Sequence, residues 1–114
     1  MKKFSVVVLC LTAVMVLQNC SSSKKTAKAK VVTFQQDVMP ILQASCTPCH
    51  FPPAGNKEPL NNYEAVKKHI DEVIVRVSLP ATDKRFMPWR SKKPALSDTS
   101  IQVLKDWKAQ NMLE

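Results

Sequence analysis

The chain has 114 residues, enough for one small domain, and a formal net charge of +8 from seventeen basic and nine acidic residues. Six of the basic residues lie before position 31, so the remainder of the chain has eleven basic and nine acidic residues. A domain with so nearly balanced a charge lacks the basic surface that nucleic-acid binding requires, and we exclude nucleic acid as a partner.

Residues 1–19 have the features of an export signal. Two lysines precede an apolar run at 4–17 that is too short for a membrane-spanning helix. The sequence L-Q-N-C at 17–20 resembles a bacterial lipoprotein processing box, in which Cys20 would be lipidated and become the new N-terminus. This resemblance implies a lipid-anchored protein on the periplasmic face of a bacterial membrane. The alternative is an uncleaved N-terminal anchor with Cys20 as a free thiol.

A flexible tether is predicted to follow the lipid anchor, so that residues 20–32 link the membrane to a folded domain at 33–114. The run S-S-S-K-K-T-A-K-A-K at 21–30 has no large apolar residue, and its like charges repel one another. Its lysines could also lie against anionic lipid head groups.

The first predicted helix begins at Thr33, whose side chain can cap it, and ends near Cys46. Its apolar face consists of Phe34, Val38, Ile41 and Leu42. Pro40 interrupts the run and is expected to kink the helix or to start a new turn.

Two further helices are predicted. Asn61 or Asn62 caps the second, which Pro80 stops, and Ser97 with Asp98 opens the third. The apolar positions of the second helix are Tyr63, Val66, Ile70, Val73, Ile74 and Val77, and those of the third are Ile101, Leu104 and Trp107. No strand or internal repeat is evident, so we predict an all-α domain of about three main helices with long loops.

The turn after the first helix reads C-x-x-C-H, with Cys46, Cys49 and His50 at its fixed positions. This is the attachment signature of a c-type haem: two thiols can add to the two porphyrin vinyl groups, and the histidine can bind iron. Three alternatives are weaker. A thioredoxin-like redox pair would need a βαβ context, and a zinc site would need two more ligands when only His69 is left. A disulfide between the two cysteines would close a very small ring. Haem attachment is therefore favoured.

The other cysteines leave no pair for a disulfide, because Cys10 lies in the apolar run and Cys20 would carry lipid. A domain of this size has a marginal core without disulfides. A buried haem would supply the missing apolar core.

Residues 33–113 resemble small monohaem cytochromes c of class I. The first helix and the C-x-x-C-H motif match that family in order, F-M-P at 86–88 looks like its distal methionine loop, and the third helix looks like the one that crosses its N-terminal helix. The resemblance implies a fold wrapped around one covalent haem c. It also implies that a proline carbonyl, here that of Pro59, accepts a hydrogen bond from the proximal His50.

Met87 is the predicted distal iron ligand, because its thioether is a suitable donor in a proline-bounded loop 37 residues after His50. His69 is the rival that would give bis-histidine ligation, although its charged neighbours favour a solvated position. Met39 and Met112 are predicted to be core or surface residues.

No other catalytic constellation is present, so we predict an electron carrier rather than an enzyme: a membrane-tethered cytochrome that passes single electrons through Fe(II)/Fe(III) cycling. The alternatives are a gas sensor or weak peroxidase with a displaceable sixth ligand, and the cytochrome subunit of a larger oxidoreductase. Five basic residues near Met87 would steer a redox partner with an acidic docking surface, unless they are merely a solvated loop. They are Lys84, Arg85, Arg90, Lys92 and Lys93, opposed locally by Asp83.

Overall fold

The computed structural model describes residues 30–114, so the predicted signal at 1–19, the lipidation site Cys20 and most of the tether lie outside the described residues. The described chain is helical, with three main helices and no strand, in agreement with the predicted fold class. Within this part of the chain, none of the helices has both the length and the apolar character needed to cross a bilayer.

The first helix, α1, consists of a π-helical turn, Phe34–Val38, that continues as an α-helix, Met39–Cys46. The Thr33 hydroxyl accepts a hydrogen bond from the backbone N–H of Gln36, which confirms the predicted cap. Pro40 has no N–H to offer the preceding turn, so the backbone widens there and the N–H of Met39 donates to the carbonyl of Phe34. The predicted irregularity at Pro40 therefore takes the form of a wide turn.

The other two helices begin where their caps predict. Helix α2 spans Tyr63–Val77, and the Asn62 side chain accepts a hydrogen bond from the N–H of Ala65. Helix α3 spans Asp98–Ala109, and the Ser97 hydroxyl accepts one from the N–H of Ser100. Each cap satisfies a backbone donor that has no partner within the helix.

An aromatic cluster joins the three helices. Phe34 of α1, Tyr63 of α2 and Trp107 of α3 have ring centroids 5.6–6.1 Å apart, and Phe34 and Trp107 are fully buried. The segment after α3 closes over this cluster, because the carbonyl of Leu113 accepts hydrogen bonds from the Phe34 N–H and from the Trp107 indole. The C-terminal residues thus fix α1 and α3 to each other.

The folded domain begins earlier than the sequence predicts. Val32, placed in the tether, is only 4% exposed, and its N–H donates to the side-chain oxygen of Gln110. The amide of Gln110 also donates to the carbonyl of Lys30. Val32, predicted to be part of the tether, therefore packs with the folded domain, because a side chain 78 positions away in sequence binds it and no local pattern reveals that contact.

Candidate functional site

A cavity of about 790 Å³ opens between the end of α1, the C-x-x-C-H turn, one face of α2 and the loop that contains Met87. Its volume lies within the roughly 300–1,000 Å³ that is usual for cofactor sites. Every residue of the C-x-x-C-H motif lines it, and so do Met87 and His69. The apolar part of the wall comprises Pro48, Leu60, Val73, Val77, Pro88, Trp89 and Leu96.

The two motif cysteines are free thiols in the cavity wall. Cys46 is the last residue of α1, and burial raises the pKa of its thiol to about 11, only partly opposed by the positive charge of Lys93. Redox-active cysteine pairs typically have a lowered pKa at a helix N-terminus. A protonated thiol at a helix C-terminus is the opposite arrangement, which disfavours a thioredoxin-like function.

Gly55 packs directly against the motif. A Cβ on this residue would lie well under 3.0 Å from the carbonyl oxygens of Pro48 and Cys49. The N–H of Gly55 also donates to the carbonyl of Phe51. The glycine is needed here for space, since its φ is not in the left-handed region.

His50 is held from two sides by the segment at 57–60. The Nδ1 atom of its ring lies 2.7 Å from the backbone carbonyl of Glu58, and its own carbonyl accepts a hydrogen bond from the N–H of Leu60. Because a carbonyl can only accept, Nδ1 is the protonated nitrogen, and Nε2 keeps a lone pair for a metal. Such a bond is a typical support for a metal-binding histidine.

The predicted acceptor, the carbonyl of Pro59, was wrong by one residue. The bond between the Leu60 N–H and the His50 carbonyl turns the Glu58 carbonyl toward the imidazole. The Pro59–Leu60 peptide bond is trans, so its C=O points opposite to its N–H; because the Leu60 N–H faces His50, the Pro59 carbonyl faces away. The prediction placed the acceptor one residue too far along the chain.

Met87 lies in the cavity wall and packs against the hydrophobic core. Its N–H donates to the carbonyl of Arg76 near the end of α2, which anchors the loop. Met39 and Met112 also pack against the core, but neither lines the cavity, in agreement with their predicted role. Of these three methionines, Met87 alone shares the cavity with His50.

The solvated position predicted for His69 was wrong, because its side chain is only 21% exposed and lies in the cavity wall. The burial of Val66, Ile70 and Val73 on the same helix turns His69 inward with them, despite its charged sequence neighbours. Its Nε2 atom lies 3.0 Å from a carboxylate oxygen of Glu58.

The five basic residues near Met87 have different roles. Lys93 donates to the carbonyl of Ala44 and to the Thr47 hydroxyl, so it ties the methionine loop to the end of α1, where a cation is favourable. Arg85 is paired with Asp83. Both charges are therefore bound within the domain. The sequence indicates Asp83 as a local counter-charge, but it does not indicate the bonds of Lys93 to the end of α1.

Two of the remaining cations, Arg90 and Lys92, lie over an exposed tryptophan that sequence reasoning missed. Trp89 is 47% exposed, with the guanidinium of Arg90 4.4 Å and the ammonium of Lys92 5.4 Å from its ring centroid. Trp89, Lys84 and Lys92 all line the cavity. We call Lys84, Trp89, Arg90 and Lys92 the basic rim. The sequence feature that could have revealed the basic rim is a tryptophan between basic residues, which is typical of an interaction surface.

Comparisons with known proteins give no match to a family model, a curated protein or a solved structure. Across residues 30–114, no three His, Cys, Asp or Glu side chains are grouped so as to hold a metal ion by themselves.

Proposed function

We propose that the chain is a membrane-tethered monohaem cytochrome c, similar to class I, that carries single electrons between redox partners. One observation carries this proposal: a single cavity of about 790 Å³ is lined by Cys46, Cys49, His50 and Met87. These are two thiols for covalent attachment and two iron ligands of the kinds that cytochromes c use. In this proposal a lipid on Cys20 anchors the chain, and the tether joins that anchor to the haem domain.

The residues of the cavity fit a haem c. Cys46 and Cys49 would hold it covalently, His50 would be the proximal ligand and Met87 the distal ligand. When bound, the group supplies a one-electron Fe(II)/Fe(III) couple, and thioether ligation favours the ferrous state relative to bis-histidine ligation.

Two backbone carbonyls of the chain hold the proposed iron ligands in position. The Glu58 carbonyl fixes the His50 ring and its tautomer, and the bond from Met87 to the Arg76 carbonyl fixes the methionine loop. The contact of His69 with Glu58 places it beside the segment that supports His50, so Met87 is the better candidate for the second iron ligand. With His50 and Met87 both bound to iron, no substrate would reach the metal, and electron transfer at the cavity rim would be the remaining chemistry.

The first test is the visible spectrum of the protein produced with a c-type maturation system. We expect covalent haem, a low-spin spectrum and no response to carbon monoxide in the reduced state, because His50 and Met87 would both bind the iron. Met87→Ala should become high-spin and bind carbon monoxide. Met39→Ala and His69→Leu should leave the spectrum unchanged.

A different pattern would change the assignment. If His69→Leu opens the site and Met87→Ala does not, the ligation is bis-histidine. If the unmodified protein binds carbon monoxide readily, a gas sensor or weak peroxidase replaces the electron carrier.

The basic rim predicts a partner with an acidic docking surface. The double substitution Lys84→Glu/Lys92→Glu should slow electron exchange with an acidic redox protein roughly tenfold at low salt, because it reverses the charge that steers association. The difference should shrink as salt screens the charges. Stopped-flow kinetics across a range of ionic strength measure both effects.

Lys68→Glu/Lys105→Glu is the matched control, since it changes the net charge equally at two exposed residues, one on α2 and one on α3, that do not line the cavity. Lys84 is reversed instead of Lys93, because reversing Lys93 would break its bonds to the end of α1. Equal rates for the double variant and the unmodified protein at every salt concentration would exclude steering by the rim.

A further inference from the structure

Trp89 is a large aromatic side chain that the fold leaves at the surface. Phe34 and Trp107 are fully buried and Phe86 is 6% exposed, whereas Trp89 is 47% exposed although it also lines the cavity. An indole has a large apolar area and gains stability when it is covered. Because a single exposed apolar side chain is common on protein surfaces, the groups around Trp89 decide how it is interpreted.

The three cations of the basic rim form no salt bridge within residues 30–114. The salt bridges of this part of the chain involve Lys30, His69, Arg76, Arg85 and Lys108. Asp83, the neighbour of Lys84 in sequence, is paired with Arg85. Lys84, Arg90 and Lys92 are all exposed, so their charge is available to a partner.

The backbone that follows Trp89 has an unusual conformation. Arg90 and Ser91 both have a φ of 51°, in the left-handed region that residues with a side chain rarely adopt. The turn is closed by two hydrogen bonds, from the Ser91 N–H to the carbonyl of Pro88 and from the Lys92 N–H to the carbonyl of Trp89. Such conformations cluster at ligand-binding sites, where the surrounding structure enforces them. In this turn the guanidinium of Arg90 lies 4.4 Å from the centroid of the preceding indole ring.

The basic rim lies far from the point where the chain enters the domain. The chain enters at Lys30 and Val32, which are bound to Gln110 beside the start of α1. The cavity lies at the other end of α1, where Lys93 binds the carbonyl of Ala44. Each helical residue adds about 1.5 Å, so the two ends of α1 are roughly 18 Å apart. This separation favours a protein, rather than the bilayer to which the chain would be tethered, as the partner of the rim.

We propose that Trp89 is the central contact of a docking surface for a redox protein whose own surface has an apolar patch bordered by carboxylates. This inference rests on the proposed function and specifies the partner's surface. The carboxylates are the complement of Lys84, Arg90 and Lys92, and the apolar patch is the complement of the indole. Tryptophan and arginine are enriched among the residues that dominate the binding energy of interfaces.

The cations and the indole have separable roles in this interface. Exposed charges mainly set the rate of association and its dependence on salt, whereas close contacts at the centre of an interface mainly set the rate of dissociation. Because Trp89 also lines the cavity, a partner held at the indole would lie beside the proposed haem.

The test uses the matured haem protein on gold electrodes coated with alkanethiols, which represent the partner's surface. Two coatings have the same fraction of carboxylate ends, and the remaining ends are methyl in one and hydroxyl in the other. The area of the voltammetric peak gives the amount of bound protein, and its decay during rinsing gives the dissociation rate. We expect the unmodified protein to dissociate roughly tenfold more slowly from the methyl coating, because only that coating covers the indole with apolar groups.

Trp89→Ala should lose this difference, so that it dissociates from both coatings at the rate of the unmodified protein on the hydroxyl coating. Trp89→Gln serves if the alanine variant matures poorly, and Trp89→Phe should keep most of the effect because it keeps an aromatic ring. Val75→Ala is the matched control, since it removes an apolar side chain that is 54% exposed and does not line the cavity. It should behave as the unmodified protein does.

Three results would overturn the inference and leave the cytochrome assignment intact. The first is equal dissociation of the unmodified protein from the two coatings, and the second is equal behaviour of Trp89→Ala and Val75→Ala. The third is slower hydrogen exchange at residues 88–93 when the lipid-anchored protein is on phosphatidylglycerol vesicles than on phosphatidylcholine vesicles, which would make the bilayer the partner of the rim. Absence of covalent haem from the unmodified protein would overturn the proposed function itself.

Discussion

Gly55→Ala should destabilise the turn that holds the cofactor. The added Cβ would overlap the backbone carbonyls of Pro48 and Cys49, and backbone atoms cannot move aside as a flexible side chain can. Overpacking typically costs 1–3 kcal/mol, and we expect a loss of roughly 3 kcal/mol because the clash is with backbone. Displacement of Cys49 and His50 should also lower the fraction of chains that acquire covalent haem.

Denaturant unfolding and the haem-to-protein ratio measure these two effects. Ala54→Ser is the control, since it makes a small change at the exposed neighbouring position. A Gly55→Ala protein with unchanged haem content and stability would show that the loop can relax away from the motif. In that case close packing against the motif would not require the chain's single glycine.

The helices and their ends follow from local sequence, and for that reason they could be predicted. Thr33, Asn62 and Ser97 each cap the helix that begins after them, by a bond to a backbone N–H three residues further on. The apolar stripes of α2 and α3 likewise depend on spacing within a single helix. Such signals involve neighbours in sequence, so a single chain is enough to detect them.

The details of the site depend on contacts between distant segments, and these could not be predicted. Val32 is buried by its contact with Gln110, His69 faces the cavity because of the packing of α2, and Lys93 binds the end of α1. His50 bonds to the carbonyl of Glu58 and not to that of Pro59, because the bond between the Leu60 N–H and the His50 carbonyl decides which carbonyl faces the imidazole. Each of these outcomes is set by tertiary geometry.

Cys46→Ala/Cys49→Ala should remove the covalent cofactor altogether and lower the stability of the domain. Both thiols line the cavity, and without thioether bonds a haem would be held by reversible contacts alone. The thioether bonds keep the haem on the unfolded chain too, so it acts as a tethered group that packs only in the folded state. If its effective concentration is about a thousand times the Kd of that packing, it stabilises the folded state by roughly 4 kcal/mol. Loss of that amount corresponds to a fall in Tm of about 15–30 °C for a domain of this size.

Haem staining after denaturing electrophoresis reports the covalent bonds, and thermal unfolding followed by circular dichroism reports the stability. The single variants Cys46→Ala and Cys49→Ala should each keep one thioether bond. Their Tm should lie between that of the unmodified protein and that of the double variant. Cys10→Ala is the matched control, because the same substitution in the predicted signal leaves the haem motif intact. Haem staining of the double variant would contradict attachment at these cysteines. A double variant with unchanged Tm would show that the helical core around Phe34, Tyr63 and Trp107 is stable without the cofactor, and the haem would then serve function alone.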